Sequence, residues 1–178
     1  MLRAAVPADA PAIARVHVAS WRTTYRGLLP DDYLAGLDVD EYTARWSRVL
    51  ADRHGRSDVL VAEEQGRVVG FASCGRERDG DIRYQGELYA IYLVHEAQRR
   101  GHGRALVAAA AGALAARGMT SMVVWVLRDN AGARAFYERL GGEYLGERSL
   151  DLGHEAAVSA REVSYMWTDT APLLRPPA

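Results

Sequence analysis

Lysine is absent: all 22 permanently cationic side chains are arginine. That excludes Schiff-base chemistry, a phosphate-loop lysine and any cofactor carried on a lysine amine. Cysteine occurs once, as Cys74, so an internal disulfide and a cysteine-based zinc site are both ruled out. Asparagine also occurs once, at Asn130, which marks that position as one to follow. No apolar run reaches the ~20 residues of a membrane span, and no charged start leads into an apolar stretch as in a signal peptide. Neither sign of charge is in surplus, since 22 basic against 23 acidic side chains leave a net charge of -1. A strongly basic face for nucleic acid is therefore not supported. The expectation is a cytoplasmic protein with no nucleic-acid or membrane partner.

What is present suits one globular domain: 178 residues, 49% hydrophobic and 25% charged, enough for a core without staples. Residues 1–170 read as that domain and 171–178, with three prolines, as a disordered tail. Residues 2–6 read as a strand. Asp9 is a natural N-cap for a helix whose one face carries Ile13, Val16, His17, Ser20 and Trp21. A loop through Gly27 and Pro30 leads to a second helix over 40–50. Strands follow at 58–63 and 67–76, joined by a hairpin at Gln65-Gly66, then at 87–94. An alanine-rich helix runs from Gly101 to 117, a strand spans 121–127, and a helix capped by Asn130 or Asp129 runs to 140. Strands at 143–152 and 156–167, around Gly153, close the order β, α, α, β, β, β, α, β, α, β, β. That order predicts a mixed α/β (α+β) sheet with helices on both faces.

The most informative stretch is Gln98-Arg99-Arg100-Gly101-His102-Gly103-Arg104, a turn from strand into helix. Two glycines admit a ligand close to the backbone, and amides at a helix start point outward to make an anion site. The turn lacks the third glycine of a dinucleotide fingerprint and the Gly-Lys-Ser/Thr of a nucleotide loop, so its ligand stays open on these residues alone.

Its neighbours narrow the choice. The run Glu87-Leu-Tyr-Ala-Ile-Tyr-Leu-Val before that turn resembles the signature of the GNAT superfamily of acyl-CoA-dependent N-acetyltransferases. Downstream, Trp125-Val-Leu-Arg-Asp-Asn130-Ala-Gly-Ala-Arg-Ala-Phe-Tyr137-Glu-Arg-Leu-Gly-Gly resembles that family's second block. The resemblance covers most of the chain. It implies a single-domain, mostly antiparallel sheet with a splayed central strand pair that binds acetyl-CoA, and no metal. By matched position it implies that Arg99, Arg100, Gly101, His102, Gly103 and Arg104 wrap the CoA pyrophosphate. Ile91, Tyr92 and Leu93 would pair with the pantetheine arm, and the Leu93 N–H would also polarise the acetyl carbonyl. Asn130 would contact the same arm, and Tyr137 would lie near the sulfur.

Two proton transfers then need owners. A departing thiolate with pKa near ~8.5 gains from a hydroxyl donor, a role that fits Tyr137; a half-buried core tyrosine is the alternative. An alkylammonium of pKa ~10.4 must lose a proton before attack, and Glu87, eleven residues before Gln98, is the candidate acceptor, directly or through water. The alternative for Glu87 is a surface glutamate at a strand start. Ribosomal-protein N-terminal acetyltransferases carry a glutamate five residues before their asparagine, where this chain has Trp125, which argues against that substrate. Trp21, Arg22, Tyr25 and Tyr33 come from the region that roofs the acceptor pocket in this family; with Trp125 they could line an aromatic pocket for a cationic amine or belong to the core.

His17 reads as a packed histidine and Cys74 as a buried apolar residue, an acetyl-cysteine intermediate being the bold alternative. His54, His95 and His154 lack metal-ligand spacing. The expected function is transfer of an acetyl group from acetyl-CoA to a small-molecule or peptide amine in a ternary complex. A CoA-binding sensor without turnover is the alternative, and a homodimer is compatible with either.

Overall fold

The computed structural model describes residues 1–52, 55–81, 83–150 and 160–175. Gln65 and Gly66 take φ of +50° and +74°, the positive pair that a two-residue hairpin of the right twist demands. That turn joins β2 (Ser57–Glu64) to β3 (Arg67–Arg76). Around them lie β1 (Leu2–Ala4), β4 (Gly86–Leu93), β5 (Met122–Leu127), β6 (Glu143–Leu150) and β7 (Ala160–Trp167). The seven strands form one sheet in the order β1-β2-β3-β4-β5-β7-β6. Every neighbouring pair is antiparallel except β4–β5.

Helices cover both faces. On one side α1 (Ala10–Thr24) and α3 (Val39–Leu50) bury Ile13, Val16, Val18, Tyr42 and Trp46 against Phe71. On the other, α4 (His102–Ala116) lays Leu106, Val107, Ala110, Ala111 and Leu114 on Cys74, Leu88 and Met122, and α5 (Ala131–Arg139) adds Tyr137. Each large aliphatic side chain so buried stabilises by ~1.5–3 kcal/mol. Alanines on the inner face of α4 let the helix lie close to the sheet. No helix among the described residues is long and apolar enough to cross a membrane.

The β4–β5 pair decides what the fold can do. Their parallel register holds only at Gly86–Met122, Glu87–Val123 and Leu88–Val124. Beyond Leu88 the strands part, while β4 stays paired with β3 up to Gly70–Leu93 and β5 stays paired with β7 up to Leu127–Glu162. A bulge explains the parting. Ser73 faces Ala90 and Cys74 faces Leu88, so Tyr89 is the extra residue, and an extra residue bends its strand.

Four local expectations are corrected. Strand β1 stops at Ala4 rather than Val6, because the Val6 amide turns to the Asp9 carboxylate at 2.8 Å and Pro7 has no amide to offer. Asp9 does not cap α1: Arg3 holds its carboxylate with bonds of 2.7 and 2.9 Å, and that pairing keeps it below the usual carboxylate range. The loop after Gly27 contains a five-residue helix, α2 (Asp31–Ala35). The start of the expected tail is ordered, since Ala171–Leu174 form a 3-10 turn that buries Leu173 against α4. The expected strand ends at 151–152 and 156–159, Gly153, His54, His154 and the last residues 176–178 lie outside the described residues.

His17 sits among Trp21, Tyr42, Trp46, Phe71 and Tyr92, with its ring 4.8 Å from that of Tyr92. Trp46 Nε1 donates to its Nδ1 at 3.2 Å, which fixes the neutral ring with its proton on Nε2. Burial, with Arg45 nearby, pushes its pKa down from 6.5 to about 3. The unfolded chain therefore binds a proton that the folded chain refuses. Stability is fully present above pH ~6.5 and falls as the pH drops below it, by about 2 kcal/mol at pH 5. Replacing His17→Gln keeps an acceptor for Trp46 and removes the titration, so urea unfolding should show a flatter stability profile between pH 7 and 5. An unchanged slope would mean that another group carries the acid sensitivity.

Candidate active site

The parted strands open a cleft of about 770 Å³, walled by β4 from Leu88 to Leu93, by β5 from Val124 to Val126, and by the starts of α4 and α5. Strand alternation decides which backbone groups face it. The Val94 amide bonds Val69 in β3 at 2.9 Å, so the Leu93 amide points the other way, toward the cleft. The Leu93 carbonyl accepts from Ser20 Oγ at 3.0 Å and Gln98 Nε2 at 3.3 Å. Side chains thus cover the carbonyl where β5 would have.

At the end of the cleft the chain turns into α4. Arg99 takes φ +57° and Gly101 φ +87°, a reversal that aims successive amides outward. The first intrahelical bond runs from Ala105 N to Gly101 O at 3.0 Å, so helix bonding leaves the amides of His102, Gly103 and Arg104 available. The positive end of a 15-residue helix reinforces them. A methyl on Gly103 would sit 3.3 Å from Phe136 Cζ, so only glycine packs there without moving the ring. Arg99, Arg104 and Arg139 line the same wall and make no ion pair with any described residue. The turn is built for an anion with several charges.

The deeper wall is aromatic and polar. Tyr137, 4% exposed, has its phenol pushed well above 10 by burial, and burial does the same to Tyr92. The Tyr25 phenol, up to about 12 for the same reason, lies 3.4 Å from the Tyr92 hydroxyl. All three stay protonated at neutral pH. Trp125 on β5 carries the Arg148 guanidinium 3.8 Å over its ring. Arg148 in turn bonds Asp79 at 2.5 Å and Glu162 at 3.0 Å.

Comparison with known proteins decides the family. The model of the acetyltransferase (GNAT) family matches residues 19–142. YuaI of Bacillus subtilis, an uncharacterized N-acetyltransferase, is 41% identical over 165 residues, 93% of this chain and 91% of its own. The chain belongs to the GNAT acetyltransferase family. Its fold is similar to that of the PaiA N-acetyltransferase from Thermoplasma acidophilum, solved in complex with coenzyme A. The TM-score there is 0.74 at 18% identity, covering 94% of this chain and 98% of the other. It is similar also to yncA from Salmonella typhimurium, solved with its cofactor acetyl-CoA, with TM-score 0.69, 25% identity, and coverage of 100% and 95%.

In this GNAT acetyltransferase the expected residues divide. Ile91, Tyr92, Leu93, Arg99, Gly101, Gly103, Arg104, Asn130, Tyr137, Tyr25 and Trp125 all line the cleft. The side chains of Arg100 and His102 do not, because Glu64 on β2 draws both away, at 3.3 and 2.6 Å. Arg22 is a clamp: its guanidinium bonds the carbonyls of Leu34, Ala35 and Leu37, closing the end of α2. Trp21 packs between His17, Tyr25 and Tyr33 rather than on the cleft wall. Glu87 is 2% exposed, and Arg78 takes both its oxygens, at 2.5 and 3.0 Å. It is not on the cleft wall. Cys74 is fully buried, its thiol pushed up to about 12 by that burial, which leaves no thiolate for an acetyl-cysteine.

Ser20, Phe136 and Arg139 line the cleft and were not singled out for it by the sequence. The signal for Ser20 was a hydroxyl on an otherwise apolar helix face. For Arg139 it was the spacing of one turn from Phe136, itself adjacent to Tyr137.

Asn130 Oδ1 accepts the Ala133 amide at 3.1 Å and so caps α5, which carries Tyr137. Asn130→Ala should lower stability by ~1 kcal/mol, whereas Asn130→Asp, which keeps the accepting oxygen, should stay near wild type. Denaturant midpoints of the three proteins check this. Equal midpoints for the alanine and wild-type proteins would show that the cap holds nothing.

Proposed function

We propose that the protein transfers the acetyl group of acetyl-CoA to a primary amine, on a small molecule or a peptide, by direct transfer in a ternary complex in the cytoplasm. The observation that carries this reading is the open β4 edge at Leu93, set between the outward amides of the α4 turn and the Tyr137 phenol. The cleft suits the cofactor. Amides and Arg99, Arg104 and Arg139 match phosphates at one end, and a free strand edge matches an extended amide-bearing arm. Bound there, acetyl-CoA supplies an activated thioester. The Leu93 amide is placed to polarise a carbonyl, and Tyr137, held protonated by burial, can give a proton to a leaving thiolate.

The amine's proton is the harder assignment. With both oxygens on Arg78, Glu87 is a poor acceptor until that pair opens. This observation also favours a second reading, a CoA-binding module without turnover. Free-thiol release with a panel of amines separates the two: an enzyme releases CoA with at least one acceptor, a module with none.

Tyr137→Phe should lower the rate by ~10²-fold or more at pH 7, and the defect should shrink as pH rises past ~8.5, whichever acceptor is used. Glu87→Gln should lower it by less than about tenfold, short of the usual contribution of a general base. A larger Glu87→Gln defect that recovers as pH approaches the acceptor's own pKa would restore Glu87 as the base and show that Arg78 leaves it during turnover.

A further inference from the structure

A second cavity, of about 620 Å³, opens where the ends of α3, β3 and α4 meet the start of β2; of its lining residues only Tyr89 also lines the cleft. Five of its lining side chains are arginines: Arg48, Arg56, Arg76, Arg78 and Arg117. In a chain of net charge -1 this is a marked local concentration. The acids around them do not use it up. Asp52 pairs with Arg56 at 2.9 Å, Asp58 with Arg117 at 3.0 Å, and Glu87 with Arg78 at 2.5 Å. Glu77, also in the lining, turns its carboxylate to its own loop and accepts the amides of Asp79 and Asp81. Arg48 and Arg76 make no ion pair with any described residue.

We infer that this cavity is a binding site for a compact polyphosphate anion, held by Arg48 and Arg76 and sharing Arg78 with Glu87. The volume falls within the range of small-molecule sites. A flat carboxylate is satisfied by one guanidinium fork, whereas forks arriving from α3, from the end of β3 and from the loop after it suit the tetrahedral oxygens of linked phosphates. Arg78 lies between the two demands. Its guanidinium stacks 4.3 Å over the Tyr89 ring and is 58% exposed, so it can turn toward an anion without leaving that support. Tyr89 is itself anchored by donating to the Arg76 carbonyl at 2.6 Å. An anion in the cavity therefore competes with Glu87 for one cation, and by linkage each weakens the hold of the other.

The site does not rest on acetyl transfer and is tested by binding; only the count of one equivalent rests on CoA filling the cleft, and the loss of affinity in the double variant marks this site whichever way that reading falls. Inorganic pyrophosphate is titrated calorimetrically into protein saturated with CoA, so that the phosphate site of the cleft is filled. One equivalent should bind. The double variant Arg48→Ala/Arg76→Ala, changed at two exposed side chains, should bind about tenfold more weakly or worse. Glu87→Gln should bind severalfold more tightly, because the competitor for Arg78 has lost its charge. On the wild-type protein, the Arg78 Nε–H resonance should move with pyrophosphate and stay still in the double variant. Citrate should bind more weakly than pyrophosphate. Absence of binding at millimolar pyrophosphate, or equal affinity in the double variant, overturns the site. An Arg78 resonance that ignores the anion, or a Glu87→Gln protein with wild-type affinity, overturns the sharing of Arg78. Citrate binding as tightly as pyrophosphate overturns the ligand class.

Discussion

The bulge at Tyr89 is the constraint on which the cleft depends. A buried strand edge normally finds a neighbour, because an unpaired amide or carbonyl inside a protein costs about as much as a lost hydrogen bond. Here β4 gives up β5 after Leu88, and the structure covers only part of the loss, by sending Ser20 and Gln98 to the Leu93 carbonyl. What stays uncovered is the face that can take a guest strand. Helix α1 takes part in this, since its Ser20 reaches across to β4, and so does α5, whose cap at Asn130 sets Tyr137 on the opposite wall.

Arginine without lysine shapes the electrostatics. A guanidinium forks onto carboxylates with fixed geometry, so the acids near the cleft are met by designated partners: Glu87 by Arg78, Asp79 and Glu162 by Arg148. Glu64 acts in the opposite sense. By holding Arg100 and His102 it draws two side chains off the α4 turn, so the backbone amides there are not screened by their own side chains. The cations that remain at the mouth, Arg99, Arg104 and Arg139, make no ion pair among the described residues. Positive charge is thus spent on internal acids around Trp125 and Glu87 and kept available at the α4 turn.

Much of this was legible in the sequence. Periodicity gave the strand and helix order, Gln65-Gly66 gave the hairpin, and the glycine pair before α4 gave the anion turn, because each is a local property of a few residues. The same locality explains the failures. Helix α2 is only five residues long, too short for a period to show. The destinations of Arg22, Arg100, His102 and Glu87 depend on partners brought in by the fold: Glu64 is 38 positions from His102, and Arg78 reaches Glu87 from the loop before β4. A residue's type announces that it will pair, not with what. Trp21 and Tyr25 show the same limit on one helix, since four positions separate a core indole from a cleft phenol.

The aromatic wall has a consequence for the chemistry. Tyr92, Tyr25 and Tyr137 are titratable, yet burial holds each phenol neutral by raising its pKa, and His17, packed against Tyr92 outside the cleft wall, is held neutral by the opposite shift. A neutral wall of low polarity strengthens every dipole pointed across it, including the outward amide of Leu93, and it gives no counter-charge to an ammonium ion. Under the proposed reaction, an amine entering the cleft would thereby be favoured in the uncharged form that can attack a carbonyl. In that reaction desolvation would perform part of the work usually assigned to a carboxylate, which agrees with a buried Glu87 already committed to Arg78.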